Sequence, residues 1–493
     1  MAPVFTLKEL AIATGGVLRN AADPEMTVSG ISTDTRTIVK GEAFFALIGE
    51  NHDAHDHLSE AAGKGAALLA VSNTENVPKG FAGAVLSVSD TLLAYQSAAS
   101  YYLKRFQPLV IAVTGSVGKT TLKDMIACIL SGKVKTYCNQ GNLNNQVGLP
   151  RTILETDEDI KALVLEMGLA AAGDIERLAG IARPKIAVIT NIGVSHRENF
   201  DSDDGILKAK YEVAAFLGKG DALVIDSGGN EALARLAEEG SGEKGFKLLR
   251  VCARGSENEK NSDYIVSKVR VSKDDAAVSL FEIENRNRGP AVPFRIPVPG
   301  PFAGISAALA AAVSAYAGNE LGAEISLADS AAALALLKRT PHRLEPALKN
   351  GILVIDDTYN ASPDSAKAGL LFLESTGAKR RVAVLADMNE LGSSSEQLHE
   401  SIGEAAVLAG CDMIFAYGAK AKAIADGAAK ALDKKGGFSE EKVFWYEAGD
   451  KEAMTERLTS VLKEGDAVYV KGSRSMKMED VVKALLGAGD GIV

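Results

Sequence analysis

No basic tract interrupts this chain. Across 493 residues, 54 Lys and Arg stand against 64 Asp and Glu, a net charge of −10. That balance argues against nucleic acid as the main partner, and any polyanionic ligand has to be held by local groups. Cysteine is scarce as well: Cys128, Cys138, Cys252 and Cys411 are scattered and form no C-x-x-C pair, which fits a reducing compartment and no structural zinc. The opening MAPVFTLKELAIATGG lacks a basic region leading into an apolar core, so it does not read as a secretory signal. The longest uncharged stretch, Ile296 to Asn319, is mostly Ala with internal Pro and Gly; it is too weakly apolar to span a bilayer and reads as a buried helix. The expected location is the cytoplasm, without membrane insertion. No repeat period or low-complexity array is visible.

What is present is a globular composition, 46% apolar and 24% charged, on a chain too long for one core, so two to four domains are expected. The stretch LVIAVTGSVGKTTLKDMIACIL organises the rest. Leu109 to Val113 is a short β-branched run followed by the turn Gly115-Ser116-Val117-Gly118-Lys119-Thr120-Thr121. Leu122, Met125, Ile126, Ile129 and Leu130 then recur with helical spacing. A glycine loop entering a helix N-terminus cradles phosphate: backbone N–H groups approach the anion, the helix dipole favours it, and Lys119 adds a point charge. Thr120 is placed to ligate the accompanying Mg²⁺. The spacing is short for a P-loop, GxxGKT, since the first glycine of GxxxxGK[ST] would fall at Val113. ATP is the expected nucleotide.

Upstream, residues 1–88 read as a small unit with strands at Thr27 to Thr33, Gly41 to Leu47 and Ala66 to Val71, and a helix at Ser59 to Gly65. Three histidines crowd the loop His52-Asp53-Ala54-His55-Asp56-His57; solvated surface is the favoured reading and no metal is assigned there. A helix from Asp90 to Arg105 leads into the nucleotide domain. Strands at Lys161 to Leu165, Lys185 to Thr190 and Ala222 to Ile225 alternate with helices, which implies a mostly parallel, doubly wound sheet with its ligand outside the carboxyl ends of the strands. Residues 241–263, rich in Gly, Lys and Glu, read as a mobile surface excursion. Asp263 to Arg270 and Ala277 to Ile283 read as an antiparallel hairpin. From Asn319 a second α/β unit follows, with strands at Ile352 to Ile355, Val382 to Leu385, Met413 to Ala416, Lys442 to Trp445 and Ala467 to Val470.

Several residues carry chemistry by type and place. Glu166 ends an otherwise apolar strand beside the phosphate loop and suits Mg²⁺, which takes a few oxygen ligands and phosphate oxygens. Gly141 to Pro150 is dense in amides, which both donate and accept and so suit reading sugars or peptides. Arg343, after Pro341-His342, is a candidate clamp on a transferring phosphoryl group. His196 follows a strand tip, although a lone histidine is more often structural, and Lys208 and Lys210 on a following helix read by position alone as surface lysines.

Taken together, TGSVGKTT, GNLNNQVGLP, LEMG, TNIGVSHRENF with GILKAKYEV, TPHRLE, DDTYNASPDS, DMNELGSSSEQLHESIG and VKGSRSMKMEDVV resemble, in content and order, the motifs of the Mur ligases. STDTR and GENHDAHD extend the resemblance over nearly the whole chain. DDTYNASP and KGSRS are similar to the branch that adds D-alanyl-D-alanine. The resemblance implies an α/β protein of three domains: a small N-terminal UDP-MurNAc-binding domain over 1–88, a central doubly wound P-loop ATPase-like domain over 89–318, and a C-terminal Rossmann-like domain over 319–493 that binds D-Ala-D-Ala. It implies an ATP- and Mg²⁺-dependent amide ligase, a monomer, joining D-Ala-D-Ala to UDP-MurNAc-tripeptide through an acyl phosphate in cytoplasmic peptidoglycan precursor synthesis.

By the same resemblance Gly115, Ser116, Gly118, Lys119, Thr120 and Thr121 hold ATP phosphates, and Thr120, Glu166, His196 and a carbamylated Lys210 hold metal. Arg343 contacts phosphate, and Asp356 or Asp357 the ribose. Asn142, Asn144 and Asn145 contact the muramoyl peptide, and Thr33, Asp34 and Arg36 lie near the uridine. Asn360, Lys471, Ser473 and Arg474 lie near the dipeptide. The chain departs from the family where a His-Asn pair and a further Asn usually seat adenine: Phe302, Ala303 and Ser306 stand there. Asp201 replaces a usual Gly, and Ser362 the second Asn of YNAN. Another ligase of this fold, adding one amino acid or a folate-linked glutamate, is disfavoured by DDTYNASP and by the lack of a DNPR-like motif. A nonenzymatic P-loop switch would not need the second α/β unit, nor Lys210 and His196 in register.

Overall fold

A computed structural model describes residues 4–193, 200, 202–434, 436 and 441–487. Among the described residues the strands form a nine-stranded, a six-stranded and a five-stranded sheet, with one further two-stranded pair.

The five-stranded sheet belongs to the N-terminal unit and runs Val17–Arg19, Ala84–Ser87, Leu68–Val71, Ala43–Phe45, Ile31–Ser32, parallel except for its first pair. The strand expected over Thr27 to Thr33 is instead two short pieces: Thr27–Val28 pairs with Phe5–Thr6, while Ile31–Ser32 joins the larger sheet. Ahead of them Leu7–Thr14 is a helix, closed by a capping box in which Thr6 and Glu9 satisfy each other's backbone N–H groups.

The middle sheet places Leu109–Thr114 between Ala162–Glu166 and Ile186–Ile189, with Thr136–Cys138 on the outer side of the former. Chain order reverses direction at Leu109–Thr114, so the crevice at its carboxyl end is the topological switch point where ligands bind in open α/β sheets. Ala222–Asp226, Lys247–Ala253 and Tyr264–Val271 continue the sheet in parallel; Ser279–Asn285 and Val292–Ile296 finish it antiparallel. The mobile excursion expected over 241–263 is overturned. Helix Glu231–Lys244 runs into buried strand Lys247–Ala253, and the charges that suggested a loop, such as Glu238, Glu239 and Glu243, lie on solvent-facing turns of that helix.

Both faces of this sheet are covered. One carries the helix Lys119–Ser131 and the Ala-rich helix Ala303–Glu320, whose small side chains pack among Ile111, Val113, Ile126 and Val188. Ile325, Leu334 and Leu337 join that same core, so the chain after Asn319, read as the start of the third unit, first completes the middle one. The other face merges with the N-terminal unit. Tyr95, Ala98 and Tyr102 of helix Thr91–Phe106 stand in one continuous core with Phe5, Leu10 and Leu68 on one side and Leu149, Leu163 and Leu165 on the other.

The third sheet runs Glu345–Lys349, Ile352–Asp357, Asp466–Lys471, Arg380–Ala386, Met413–Tyr417, Val443–Tyr446, parallel apart from its first pair. It has two apolar cores of its own, one on each face, around Phe372 and Ile402 and around Met454 and Val468.

Candidate active site

The phosphate loop is held from the side by the neighbouring strand tip. Ser116 N donates to Asn191 O at 3.1 Å, Val117 N to Asn191 Oδ1 at 3.0 Å, and Thr190 Oγ1 and Asn191 Nδ2 both donate to Val117 O at 2.7 and 3.0 Å. Gly193 N donates to Ser116 Oγ at 2.7 Å. Two glycines make the turn possible. Gly115 has φ +139° and a Cβ there would stand 1.9 Å from Thr190 Oγ1; Gly118, at φ +81°, caps the helix that Lys119 begins. Lys119 Nζ folds back over the loop onto the carbonyls of Gly115 and Ser116, 2.8 and 3.2 Å away. Burial pushes Lys119 below the ordinary lysine range; Glu166 opposes that push and Arg343 adds to it.

Glu166 is the hinge pin between this loop and the amide-rich segment. Its Oε2 accepts from Thr120 Oγ1 at 2.7 Å and its Oε1 from Asn144 Nδ2 at 2.8 Å. Asn139, which has no sequence signal of its own, fixes the strand end: its Oδ1 accepts from Glu166 N, its Nδ2 donates to Glu166 O and Leu143 O, and its carbonyl accepts from buried Lys123 Nζ at 2.6 Å. The three asparagines expected to act together separate here. Asn144 faces the site, Asn145 Oδ1 accepts from Val147 N and Gly148 N at the start of helix Gly148–Leu154, and Asn142 is exposed.

Lys210, on helix Asp203–Tyr211, is 0% exposed and among the described residues its Nζ has no hydrogen-bond partner. Burial first, then the charge of Lys119, pushes it down to about 7, against the pull of Asp364. A surface lysine is thereby ruled out; this one is an amine largely able to be neutral at physiological pH. Lys208, on the same helix, is the exposed one and pairs with Asp204 at 2.7 Å. His196 lies outside the described residues, as does Asp201. Asp364 comes from the third unit and its carboxylate packs against Gly193, so the third sheet reaches the rim of the phosphate loop.

On the third unit, Asp357 is an internal hub. Its Oδ2 accepts from Lys471 Nζ at 2.5 Å and Tyr469 OH at 2.9 Å, and its Oδ1 from Leu344 N at 3.2 Å. Lys471 also donates to Asn360 O at 2.9 Å; burial holds it below the ordinary lysine range, against the pull of Asp357. Asp356 Oδ1 accepts from Thr358 N and Oγ1, and its Oδ2 from His342 Nδ1 at 2.7 Å. Ser473 is buried, its Oγ accepting from Asn389 N at 2.9 Å, while Asn360 and Arg474 are exposed, Arg474 pairing with Glu479 at 3.2 Å. Arg343 lies over the Tyr359 ring, 4.3 Å from its centroid, with a buried, unpartnered Nε.

In the N-terminal unit, Thr33 is half-buried and Arg36 forks onto Asp34 with its Nη2 2.7 Å from Oδ2, holding that carboxyl at about 2. Asp34 also feels Arg151 of the middle unit, so this loop opens toward helix Gly148–Leu154. His55 is buried between Asp53 and Ser72, its Nδ1 donating to Asp53 at 2.6 Å and its Nε2 accepting from Ser72 N at 3.1 Å.

The residues fit a magnesium nucleotide. A glycine turn closed to any Cβ at Gly115 meets a lysine, and the hydroxyl of Thr120 with the carboxylate of Glu166 offers the hard oxygen donors Mg²⁺ prefers. Beyond the loop, Thr121 and Asp124 share a cleft with Pro297, Val298, Pro299, Leu337 and Arg343. Phe302, at 54% exposure, stands at the start of the Ala-rich helix, where its ring offers no hydrogen-bonding edge.

Comparison with known proteins agrees with this geometry. Residues 113–315 match the Mur ligase middle domain, and residues 342–474 match the family described as Mur ligase, glutamate ligase domain. The chain is 35% identical over 484 residues to the UDP-N-acetylmuramoyl-tripeptide–D-alanyl-D-alanine ligase of Bacillus subtilis, covering 98% of each. It superposes on a crystal structure of MurF from Acinetobacter baumannii with a TM-score of 0.85 at 27% identity, covering 98% of this chain and 99% of that one. MurF from Thermotoga maritima, crystallised with ADP, gives 0.77 at 26% identity over 92% and 96% of the two chains.

Proposed function

The chain belongs to the Mur ligase family, and from that premise we propose that it joins D-alanyl-D-alanine to UDP-MurNAc-tripeptide at the expense of ATP in peptidoglycan precursor synthesis. The observation that carries this reading is the meeting of three elements at one crevice: the phosphate loop with Lys119, the unpartnered amine of Lys210, and Arg343 with Asp364 from the third unit. A nucleotide switch has no use for the last two.

A carboxylate is a poor electrophile, so the γ-phosphoryl group of ATP passes first to an oxygen of the tripeptide's terminal carboxylate, leaving ADP and an acyl phosphate. The amine of the dipeptide, once it has lost a proton from its ammonium form, attacks the carbonyl carbon. The tetrahedral intermediate then breaks its C–O bond to phosphate, and phosphate leaves with the electron pair. Lys119 and Arg343 sit where charge gathers on the transferring group, and backbone N–H groups of Gly115 to Thr120 hold the remaining phosphates; fixed charges of this kind lower the barrier because they need no reorganisation at the moment of reaction. Mg²⁺, held by Thr120 and Glu166 with His196, would neutralise phosphate charge. A neutral Lys210 amine can add CO₂ and lose a proton to become a carbamate, turning a cation into a metal-binding anion. Gly115, Ser116, Gly118 and Thr121 complete the nucleotide contacts, with Asp356 or Asp357 toward the ribose.

The N-terminal unit, through Thr33, Asp34 and Arg36, takes the uridine end; Asn144 faces the muramoyl peptide, with Asn142 and Asn145 on the turn that carries it; Asn360 and Arg474 reach the dipeptide from the edge of the third unit, with Lys471 and Ser473 buried behind them. We place the monomeric enzyme in the cytoplasm, where its nucleotide substrates are made; no helix among the described residues is long and apolar enough to cross a membrane. Phosphate release tests the reading. It is expected only when ATP, Mg²⁺, UDP-MurNAc-tripeptide and D-Ala-D-Ala are all present, and brisk turnover without the dipeptide would sink it.

A further inference from the structure

The strap His342-Arg343-Leu344 carries two left-handed residues out of three: His342 at φ +60° and Leu344 at φ +47°. Neither is glycine, and a side chain in that region costs roughly 1–2 kcal/mol. Such a backbone persists only where its surroundings over-determine it. Here four hydrogen bonds do so, and all run to the third unit. His342 N donates to Glu345 Oε2 at 3.0 Å, Tyr359 N donates to His342 O at 3.1 Å, and Leu344 N donates to Asp357 Oδ1 at 3.2 Å. The fourth is made by a side chain of the strap itself. His342 Nδ1 donates to Asp356 Oδ2 at 2.7 Å, and that carboxylate is itself fixed through its other oxygen by Thr358 N at 3.0 Å and Thr358 Oγ1 at 2.6 Å. Asp356 and Thr358 are buried, so the anchor is rigid.

Arg343, between the two strained residues, is thrown onto the Tyr359 ring, with its charge felt by Lys119 on the phosphate loop and by Lys471 on the third sheet. Among the described residues no hydrogen-bond partner holds its buried Nε. Its aim therefore depends on the ring beneath it and the backbone that carries it. His342, Glu345 and Asp356 would otherwise make a plausible cation site, but the imidazole and the carboxylates are already engaged with one another and with the strap.

We propose that His342 is the positioning residue for Arg343: its Nδ1–H bond to Asp356 locks the strap to the tip of strand Ile352–Asp357, so that Arg343 moves with the third unit and meets the transferring phosphoryl group only when that unit is seated. The inference rests on the reading of Arg343 as the phosphate clamp. His342 itself touches neither nucleotide nor acceptor.

Two substitutions separate the hydrogen bond from the backbone. His342→Asn can place an amide N–H where Nδ1–H stands and tolerates the left-handed backbone. His342→Gly adopts that backbone more easily than histidine but leaves Asp356 without its donor. If His342 acts as proposed, the asparagine variant keeps kcat within about 3-fold of wild type, and the glycine variant loses about 10-fold or more in kcat with the KM for D-Ala-D-Ala little changed. The pair His342→Gly and Arg343→Ala is then no slower than Arg343→Ala alone, since both act through one group. Phenylglyoxal labelling of Arg343, followed by peptide mass spectrometry on enzyme without nucleotide, reads the same lock without turnover: faster in the glycine variant, at the wild-type rate in the asparagine variant. Equal activity and equal labelling in the two variants would overturn the proposal, as would a double variant whose losses multiply. An Arg343→Ala enzyme with full activity would refute the clamp instead, and the labelling rates would still decide whether His342 sets the arginine's place.

Discussion

Two strand tips face each other across this crevice, and they are built on opposite rules. At the tip of Leu109–Thr114 the backbone is bonded and the chemistry is exposed to a ligand: Lys119 rests on carbonyls, and nearby Lys210 Nζ has no partner among the described residues. At the tip of Ile352–Asp357 the charged groups have already found each other, Asp357 with Lys471 and Tyr469, Asp356 with His342 and Thr358. The first tip is a receptor awaiting charge. The second is a closed framework that presents Arg343, Asn360 and Arg474 from its edge. The cores repeat the contrast: the N-terminal and middle units share one, while the third unit keeps its own. Substrate-driven closure of the third unit onto a preformed half-site follows naturally from such a division.

The largest effect is expected where a group is left unsatisfied for chemistry. Lys210→Ala is expected to lower phosphate release by about a thousandfold or more, on the order of 4 kcal/mol in barrier, while ATP affinity, measured by calorimetry, stays within a few-fold of wild type. An unchanged rate would remove Lys210 from the receptor side. Next comes the framework. Asp357→Ala strands the Lys471 ammonium in the interior, and breaking one partner out of a buried pair costs roughly 3 kcal/mol or more. A urea titration that finds the variant within experimental error of wild type would erase the difference between the two tips.

How far the sequence reveals these tips depends on how local their signals are. The phosphate loop is legible because Gly, Lys and Thr sit together between an apolar run and a helical period, and Arg343 because it follows Pro341-His342 at the head of the third unit. Asn139 and Asn191 are not, since each acts by bracing a backbone that lies close only after folding. The Asn142, Asn144, Asn145 cluster reads as one surface; the turn that carries it points only Asn144 toward Glu166. Lys210 is indistinguishable from Lys208 by spacing, and only burial separates them. Among the strands, Val292–Ile296 is hidden by Pro293 and the prolines that follow it, tolerable because the strand lies at the sheet edge. Helix Leu7–Thr14 does carry a sequence mark, the Thr6-x-x-Glu9 capping box.

The smallest effect is the sharpest test of the contrast, because it asks about Lys210 in the absence of any ligand. In the folded chain its pKa is near 7, set first by burial and then by Lys119; unfolded, it returns to the ordinary lysine value of 10.5. Between those values the unfolded state binds more protons than the native one, so stability rises with pH across this window. Below about pH 7 both states are charged and the full penalty of a buried ammonium is present; above it the penalty fades as the native amine deprotonates. Relative to Lys210→Met, the wild-type chain is therefore expected to gain about 2 kcal/mol between pH 7 and pH 9. Denaturant titrations of both proteins, in CO₂-free buffer with chelator present, measure that difference directly. Parallel curves would mean that Lys210 stays charged through an ion pair of the kind Lys471 makes with Asp357, and that the two tips follow the same rule after all.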